Sequence, residues 1–577
     1  MTAILLVVAA FAGDVREVEA GTWCSRGERL GGASVSRVEV HPEFERCWLT
    51  AEDGAMVAEI VPSDGVHEGQ CEGGGHTLFP RPELVEGAVG RIPLEPLCAR
   101  LQATPTATPL PLLPIALAVA GLLSLGGAGW LLRRRAGTAF AQILLGLLVP
   151  LTTTPAALFD GGGAGWEKLR VGLGLARDAG WGPGYALWMR PAVALLGARP
   201  VAVFSTNLVF AALWPAFIGA IGERIGGRRV GWGAAAAAAL LPLHNTMARS
   251  EAMHVSAVTW GTLAVFGAIV ACAETGAQAA IGAGVAGMAA VAATATRGDL
   301  GVVLPVIAAA GVFGPTPRVR LRGAGIATVA GALSLPWLHT ESGALVPGSS
   351  VTATRLFSAL LPHFGPLAPS GGYLASLHAS LTPPVWWALA VAAILLAPRR
   401  PVLFAVAWAA VAGLPFLLKV EPAPDALRLQ AFAQGGLVLL LGLAFSRASW
   451  AAAVLLLVGV ATGPSLRGPT WLHREEWRFF IELSERLPSG SVVRLDPGRP
   501  HGDAAAEVLS TAGGVRWTAD PAARVDWEYR GAAPLASAAE EGPVQTGLAP
   551  TRACLATDVD GEPALRRWRL ELHPVSP

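Results

Sequence analysis

Charge is what this 577-residue sequence has least of. Asp, Glu, Lys and Arg together make up only 15% of it, against about 25% in an average soluble domain. The charges it has nearly cancel, leaving a formal net charge of +1. No global basic field draws it to nucleic acid, so no nucleic-acid partner is expected. No GxxxxGK[ST], HExxH or GxSxG pattern occurs. This removes the strand–loop–helix phosphate cradle, the helical zinc protease site and the nucleophile elbow. The glycine runs 73–75 and 161–163 lack a strand–helix setting and are weak as phosphate cradles. No CxxC pair is present, so a zinc site among the early cysteines is disfavoured. The apolar runs carry almost no charges, and no internal repeat joins two halves. Both absences count against a transporter.

What the sequence has instead is apolar residue, 53% of the chain, gathered into long runs. They fall at approximately 111–132, 138–159, 201–222, 230–245, 255–272, 278–295, 299–314, 324–338, 385–397, 401–418, 431–445 and 449–463. That predicts an α-helical polytopic membrane protein of about twelve segments, several of them shorter than the ~20 residues of a straight span. Nineteen tryptophans against three tyrosines suit anchoring at the membrane interface. Arg133–Arg135, the group Glu223 to Arg229, Arg318–Arg322, Arg399–Arg400 and Arg447 fall on alternate connections. The positive-inside rule makes those connections cytoplasmic. Loops 160–200, 246–254, 339–384 and 419–430 and both chain ends then lie on the external, periplasmic side of a cell inner membrane.

Residues 1–12 match a short signal peptide, with an apolar core and an Ala10-Phe11-Ala12 cleavage pattern, though without a charged n-region. Residues 13–100 form a small exported β-rich domain, with strand-like alternation at Val35–Val40 and Met56–Ile60. Cys24, Cys47, Cys71 and Cys98 all lie in it, and two disulfides of open connectivity are expected. Cys272 is expected to be a packing residue. A Pro/Thr linker at 101–110 leads to the membrane domain, 111–463. After residue 464 the composition changes. An amphipathic helix (Trp477, Phe480, Ile481, Leu483, Leu487), a strand at Ser491–Leu495, a helix at 504–513 and strand-like runs at Val515–Thr518 and Trp568–Leu572 predict an exported α/β domain over 464–577.

Chemistry is expected between Pro150 and Val255. An apolar run ends at Phe159 and Asp160 follows at once. The next loop carries Trp166, Glu167, Lys168, Arg170 and Arg177, and closes on Tyr185, Trp188 and Pro191. A second polar loop, Arg249-Ser250-Glu251, comes two apolar runs later. Acids at the mouths of membrane segments are costly unless they face water, a partner or a substrate. The segment from Trp166 to Arg177 fits equally a plain loop or an amphipathic helix on the membrane surface, with Trp166, Leu169 and Leu173 on one side. His244 and His254 beside the second loop are expected to be hydrogen-bonded packing residues.

On these residues the stretch 138–465 resembles the GT-C superfamily of polytopic glycosyltransferases, which includes protein O-mannosyltransferases and lipid A aminoarabinose transferases. The features that carry the resemblance are Phe159-Asp160 after the first core helix, the external loop ending Gly184-Tyr-Ala-Leu-Trp-Met-Arg-Pro191, Ala248-Arg-Ser-Glu-Ala252 between core helices, and the turn Thr296-Arg297-Gly298-Asp299. The family's frequent Asp-Glu pair is absent, since Gly161 follows Asp160. The resemblance implies transfer of a hexose or pentose from a polyprenyl-phosphate donor, with a divalent cation as candidate cofactor and membrane lipids as partners. Such transfer needs a carboxylate to take the acceptor's proton and cations to stabilise the departing phosphate. Asp160 and Glu251 are the candidate catalytic acids. Lys168, Arg170, Arg249, Arg297 and Arg428 are the candidate phosphate ligands, and Asp299 is expected to pair with Arg297. The alternative is a scaffold or transporter displaying two exported domains.

Overall fold

The computed structural model describes most of residues 112–334, 384–417, 431–447 and 477–534, together with strands between 16 and 80 and between 553 and 574. The expected signal peptide, Cys24, Cys98, the 101–110 linker, Asp160, Arg428, most of run 449–463 and the loops 339–384 and 419–430 lie outside the described residues.

The first strands are β1 (Arg16–Val18), β2 (Arg29–Leu30), β3 (Ala33–His41), β4 (Phe44–Thr50), β5 (Met56–Pro62), β6 (Cys71–Gly73) and β7 (His76–Pro80). They form an antiparallel sheet in the order β1-β3-β4-β5-β7-β6, with β2 on β3. Val35 and Val38 are both buried although three residues apart. A register shift between Val35 and Arg37 inserts one extra residue and restores their common face. Val35 then lies opposite Leu49 and Val38 opposite Cys47, all four buried. Cys47 is disulfide-bonded, and its partner lies outside the described side chains.

The helices that follow are α1 (Leu112–Leu132), α2 (Ala136–Thr153), α3 (Ala164–Gly172), α4 (Gly184–Leu196), α5 (Pro200–Gly226), α6 (Arg228–Leu240), α7 (Pro242–Ala248), α8 (His254–Ala273), α9 (Gly276–Thr296), α10 (Val303–Ala309), α11 (Pro317–Ser334), α12 (Pro384–Leu396), α13 (Arg399–Leu417) and α14 (Gln434–Arg447). Four stretches are long and apolar enough to cross a membrane: 114–153, 200–226, 254–273 and 276–296. Shorter apolar helices cover 300–313, 386–396 and 434–447. Twelve comparable spans are therefore not what the described residues contain, and four expectations change in detail. Arg133–Arg135 form a single 3-10 turn that joins α1 to α2. Run 230–245 breaks at Leu241, whose extended backbone precedes Pro242, as a residue before proline must. Run 299–314 is a chain of short 3-10 and α pieces. The Arg318–Arg322 connection is itself helical, the first turns of α11.

α8 is buried from His254 to Cys272, as a helix apolar on all sides should be. It packs on α5 and α9, while α2 lies on α5 and α1 on α9. Leu122, Phe140, Val209, Leu321 and Leu395 point outward. So much apolar side chain around one bundle suits a lipid surround better than water.

The last elements are β8 (Val492–Arg494), α15 (Gly502–Thr511), β9 (Arg516–Thr518), β10 (Trp527–Pro534), β11 (Ala553–Ala556) and β12 (Arg566–Pro574). β8 is parallel to β9 and β10, and the sheet order is β11-β12-β10-β8-β9. α15 supplies the crossover that a parallel pair requires.

Candidate functional site

The site is built where the chain leaves α2. Thr154 is extended, again before a proline, and ends the helix. The segment that follows is held by the second polar loop. Arg249 donates from Nη1 to the Thr154 carbonyl at 2.8 Å, and the Ala157 amide donates to the Arg249 carbonyl at 3.1 Å. The Phe159 amide then donates to both carboxylate oxygens of Glu251, at 2.8 Å (Oε2) and 3.1 Å (Oε1). Glu251 is 0% exposed, so this charged acceptor satisfies a backbone donor that would otherwise cost about 1–3 kcal/mol. The next residue in the chain is Asp160.

Two helices hold the second loop in turn. From α5, the fully buried Asn207 donates through Nδ2 to the carbonyls of Ser250 (2.6 Å) and Ala252 (3.2 Å). From α4, the Tyr185 hydroxyl donates to the Glu251 carbonyl at 2.9 Å. Burial, and secondarily the Glu251 charge, push that hydroxyl well above its ordinary range, so it stays a donor. One turn on, Trp188 Nε1 donates to Thr296 Oγ1 at 2.7 Å, beside Arg297. The approach of α4 to α9 needs Gly184, since a Cβ there would stand 2.8 Å from the Thr296 nitrogen. α4 thus ties the Glu251 loop to the end of α9, two places that the sequence separates by more than forty residues.

α3 exists, but its apolar face does not lie on a membrane. Trp166, Leu169 and Leu173 share a buried cluster with Trp477, Phe480 and Leu487 from the C-terminal region. The Trp166 ring centroid is 5.9 Å from that of Trp477 and 6.2 Å from that of Phe480. Lys168 is only 1% exposed within this packing. Arg170 is engaged by Glu507 on α15, Nε to Oε2 at 2.5 Å, with Glu167 3.8 Å from Nη1. The same buried cluster includes Ala157, Leu158, Tyr185 and Met253, which flank the Glu251 loop. Arg249 and Arg297 do border the site, and Arg249 is directed at the Thr154 carbonyl rather than at Glu251. The Asp299 side chain lies outside the described residues. His244 packs as expected, its ring 4.4 Å from Trp214 and Nε2 3.0 Å from the Ala211 carbonyl. Cys272 is a buried free thiol. Among the described residues no three His, Cys, Asp or Glu side chains gather to hold a metal ion.

Sequence reasoning missed Asn207 as a site residue. The signal was available, since an isolated amide inside an apolar run needs a partner within the bundle.

No family model matches the chain, and no curated protein does. Among solved structures it is similar to the Archaeoglobus fulgidus oligosaccharyltransferase crystallised with Zn and sulfate, at 13% identity and a TM-score of 0.38, over 66% of this chain and 62% of that one. It is also similar to the oligosaccharyltransferase AglB of the same organism, in complex with an inhibitory peptide and a dolichol-phosphate. That match has 12% identity and a TM-score of 0.40, over 66% and 64% of the two chains. The chain therefore spans less than two thirds of the length of these proteins.

Proposed function

We propose that this protein is an integral-membrane glycosyltransferase of the GT-C type. It moves a hexose or pentose from a polyprenyl-phosphate carrier to an acceptor on the external face of the inner membrane. The observation that carries the reading is the grip of Glu251 on the Phe159 amide. A buried carboxylate spends both oxygens on fixing the backbone immediately before Asp160, at the mouth of an apolar helix, which is the support a reacting group requires. Asp160 takes the proton from the acceptor hydroxyl or amine as the bond from sugar carbon to phosphate oxygen breaks. Arg249 and Arg297 balance the charge left on the departing phosphate, and Arg428 remains a candidate for the same role. Glu251, closed off from solvent, serves as a positioning residue and not as a second base. A divalent cation at the donor phosphate is compatible with this scheme, which routes no step through it.

The same reading makes the Arg-rich end of the bundle cytoplasmic, puts both chain ends outside, and pairs Cys24, Cys47, Cys71 and Cys98 in two disulfides. The test is Asp160→Asn, which keeps size and most hydrogen bonding but cannot accept a proton. Transfer to the surface glycan should fall at least ~100-fold at matched protein levels, the lower end of general-base contributions. Full activity in that variant would leave the scaffold reading in the lead.

A further inference from the structure

At the arginine-rich end of the bundle, opposite the Glu251 loop, lie two basic clusters, and they differ in one respect. In the first, Arg135 is 2.9 Å from Glu223, Arg224 is paired with Glu274, and Arg133 lies 3.6 Å above the Trp130 ring. Its charges are largely spent within the protein. The second is a pocket of about 360 Å³ between α5, α6 and α14, lined by Arg228, Arg229 and Arg447, with Val230, Leu443 and Pro398 as apolar wall. Among the described residues no carboxylate lines it, and none lies in ion-pair range of its three arginines.

We propose that this pocket binds the phosphate of an anionic phospholipid. It is a second site, independent of the transferase reading. Several features converge on it. Gly227, at φ 88°, turns the chain between α5 and α6 in a conformation that side-chain-bearing residues rarely adopt. Arg228 and Arg229 are thereby set on the first turn of α6, a 13-residue helix whose leading amide groups favour an anion at the same place. Arg447 arrives from the last turn of α14. Pro398, between α12 and α13, closes the rim. α5 ends, α6 begins and α14 ends here, so the pocket lies at the depth where apolar helices give way to headgroups. Val230 and Leu443, both 1% exposed, floor it with apolar surface where a glycerol backbone and the first acyl carbons would rest. Three guanidiniums above an apolar floor complement a phosphodiester that carries a tail, and a free phosphate would leave the floor unused. Basic pockets between membrane helices on the positive side recognise anionic headgroups by this charge pattern.

The experiment uses the full-length protein in detergent, with bound lipid counted by native mass spectrometry. The probes are phosphatidylglycerol, phosphatidylcholine and inorganic phosphate. The wild type should retain phosphatidylglycerol and not phosphatidylcholine, and millimolar inorganic phosphate should not displace it. Raising salt before the measurement should strip it, because the contacts are solvent-facing. The triple variant R228Q/R229Q/R447Q should bind on the order of a hundredfold more weakly, about fivefold for each arginine near the surface. R133Q/R134Q, at the same end but outside the pocket, should bind like the wild type. If the triple variant cannot be isolated folded, the single variant R447Q, with its fivefold loss, and the salt series decide. Unchanged retention in the triple or single variant, equal retention of phosphatidylcholine, an equal loss in R133Q/R134Q, or displacement by inorganic phosphate would each overturn the proposal.

Discussion

Glu251 and Phe159 are ninety-two residues apart in sequence, and the carboxylate of one holds the amide of the other through both of its oxygens, at 2.8 and 3.1 Å. The bond joins the mouth of α2 to the loop between α7 and α8. It fixes the backbone of Phe159, the residue that precedes Asp160 in the sequence.

Glu251 should therefore behave as a positioning residue. Glu251→Gln keeps one acceptor for the Phe159 amide but exchanges a charge-assisted bond for a neutral one, a loss of about 1 kcal/mol. Expressed at the transition state, that loss gives roughly fivefold lower kcat, with little change in donor KM and near-normal thermal stability. Glu251→Ala leaves the amide unsatisfied and should lose both activity and stability. Steady-state kinetics beside a melting curve would decide the matter. An Ala variant as active as wild type would remove Glu251 from the site.

Gly184 controls how closely α4 meets α9. Gly184→Ala places a methyl against the backbone of Ala295 and Thr296, which can only yield by moving the helices apart. The cost should be about 1–3 kcal/mol, as for overpacking elsewhere. The Trp188–Thr296 and Tyr185–Glu251 bonds should weaken with it. Gly287→Ala, where nothing lies within 4 Å, is the control. Equal melting temperatures for the two variants would contradict this account.

The C-terminal region is held to α3 mainly by apolar packing. The Arg170–Glu507 pair is about a third exposed on each side, so a double-mutant cycle with Arg170→Gln and Glu507→Gln should yield at most ~1 kcal/mol of coupling after solvent screening. Trp477→Ala, removing a buried ring from the cluster with Trp166 and Phe204, should cost about 3–5 kcal/mol. Proteolysis of the C-terminal region should accelerate far more in the second variant. The reverse order would show that the ion pair dominates.

Topology is open to a direct check. Reporters inserted at Gly227 and at Thr275 should report a cytoplasmic position, because both turns sit at the arginine end with Arg224 and Glu274. Reporters at Gly197 and after residue 470 should report an external one. An external signal at Thr275 would invert the assignment.

Membrane character, the β-strands at 33–41 and 56–62, the β8–α15–β9 order and the polar loop at 249–251 were all legible in the sequence. Each depends on local pattern: unbroken apolar length, alternation by two, a proline, or an acid next to an apolar run. Packing decided what local pattern cannot encode. Trp166 and Leu169 show the same amphipathic spacing whether they cover a membrane or another part of the chain. Only the arrival of Trp477 and Phe480, more than three hundred residues later, settles which surface they meet. Arg170 could not be known to face Glu507, nor Lys168 to be buried, because a charge does not announce its partner. The sequence could not show what Glu251 would be bonded to, for the same reason. Its burial and its bond to Phe159 exist only after α4, α5 and α8 have closed around it, because those contacts join parts of the chain that local pattern does not relate.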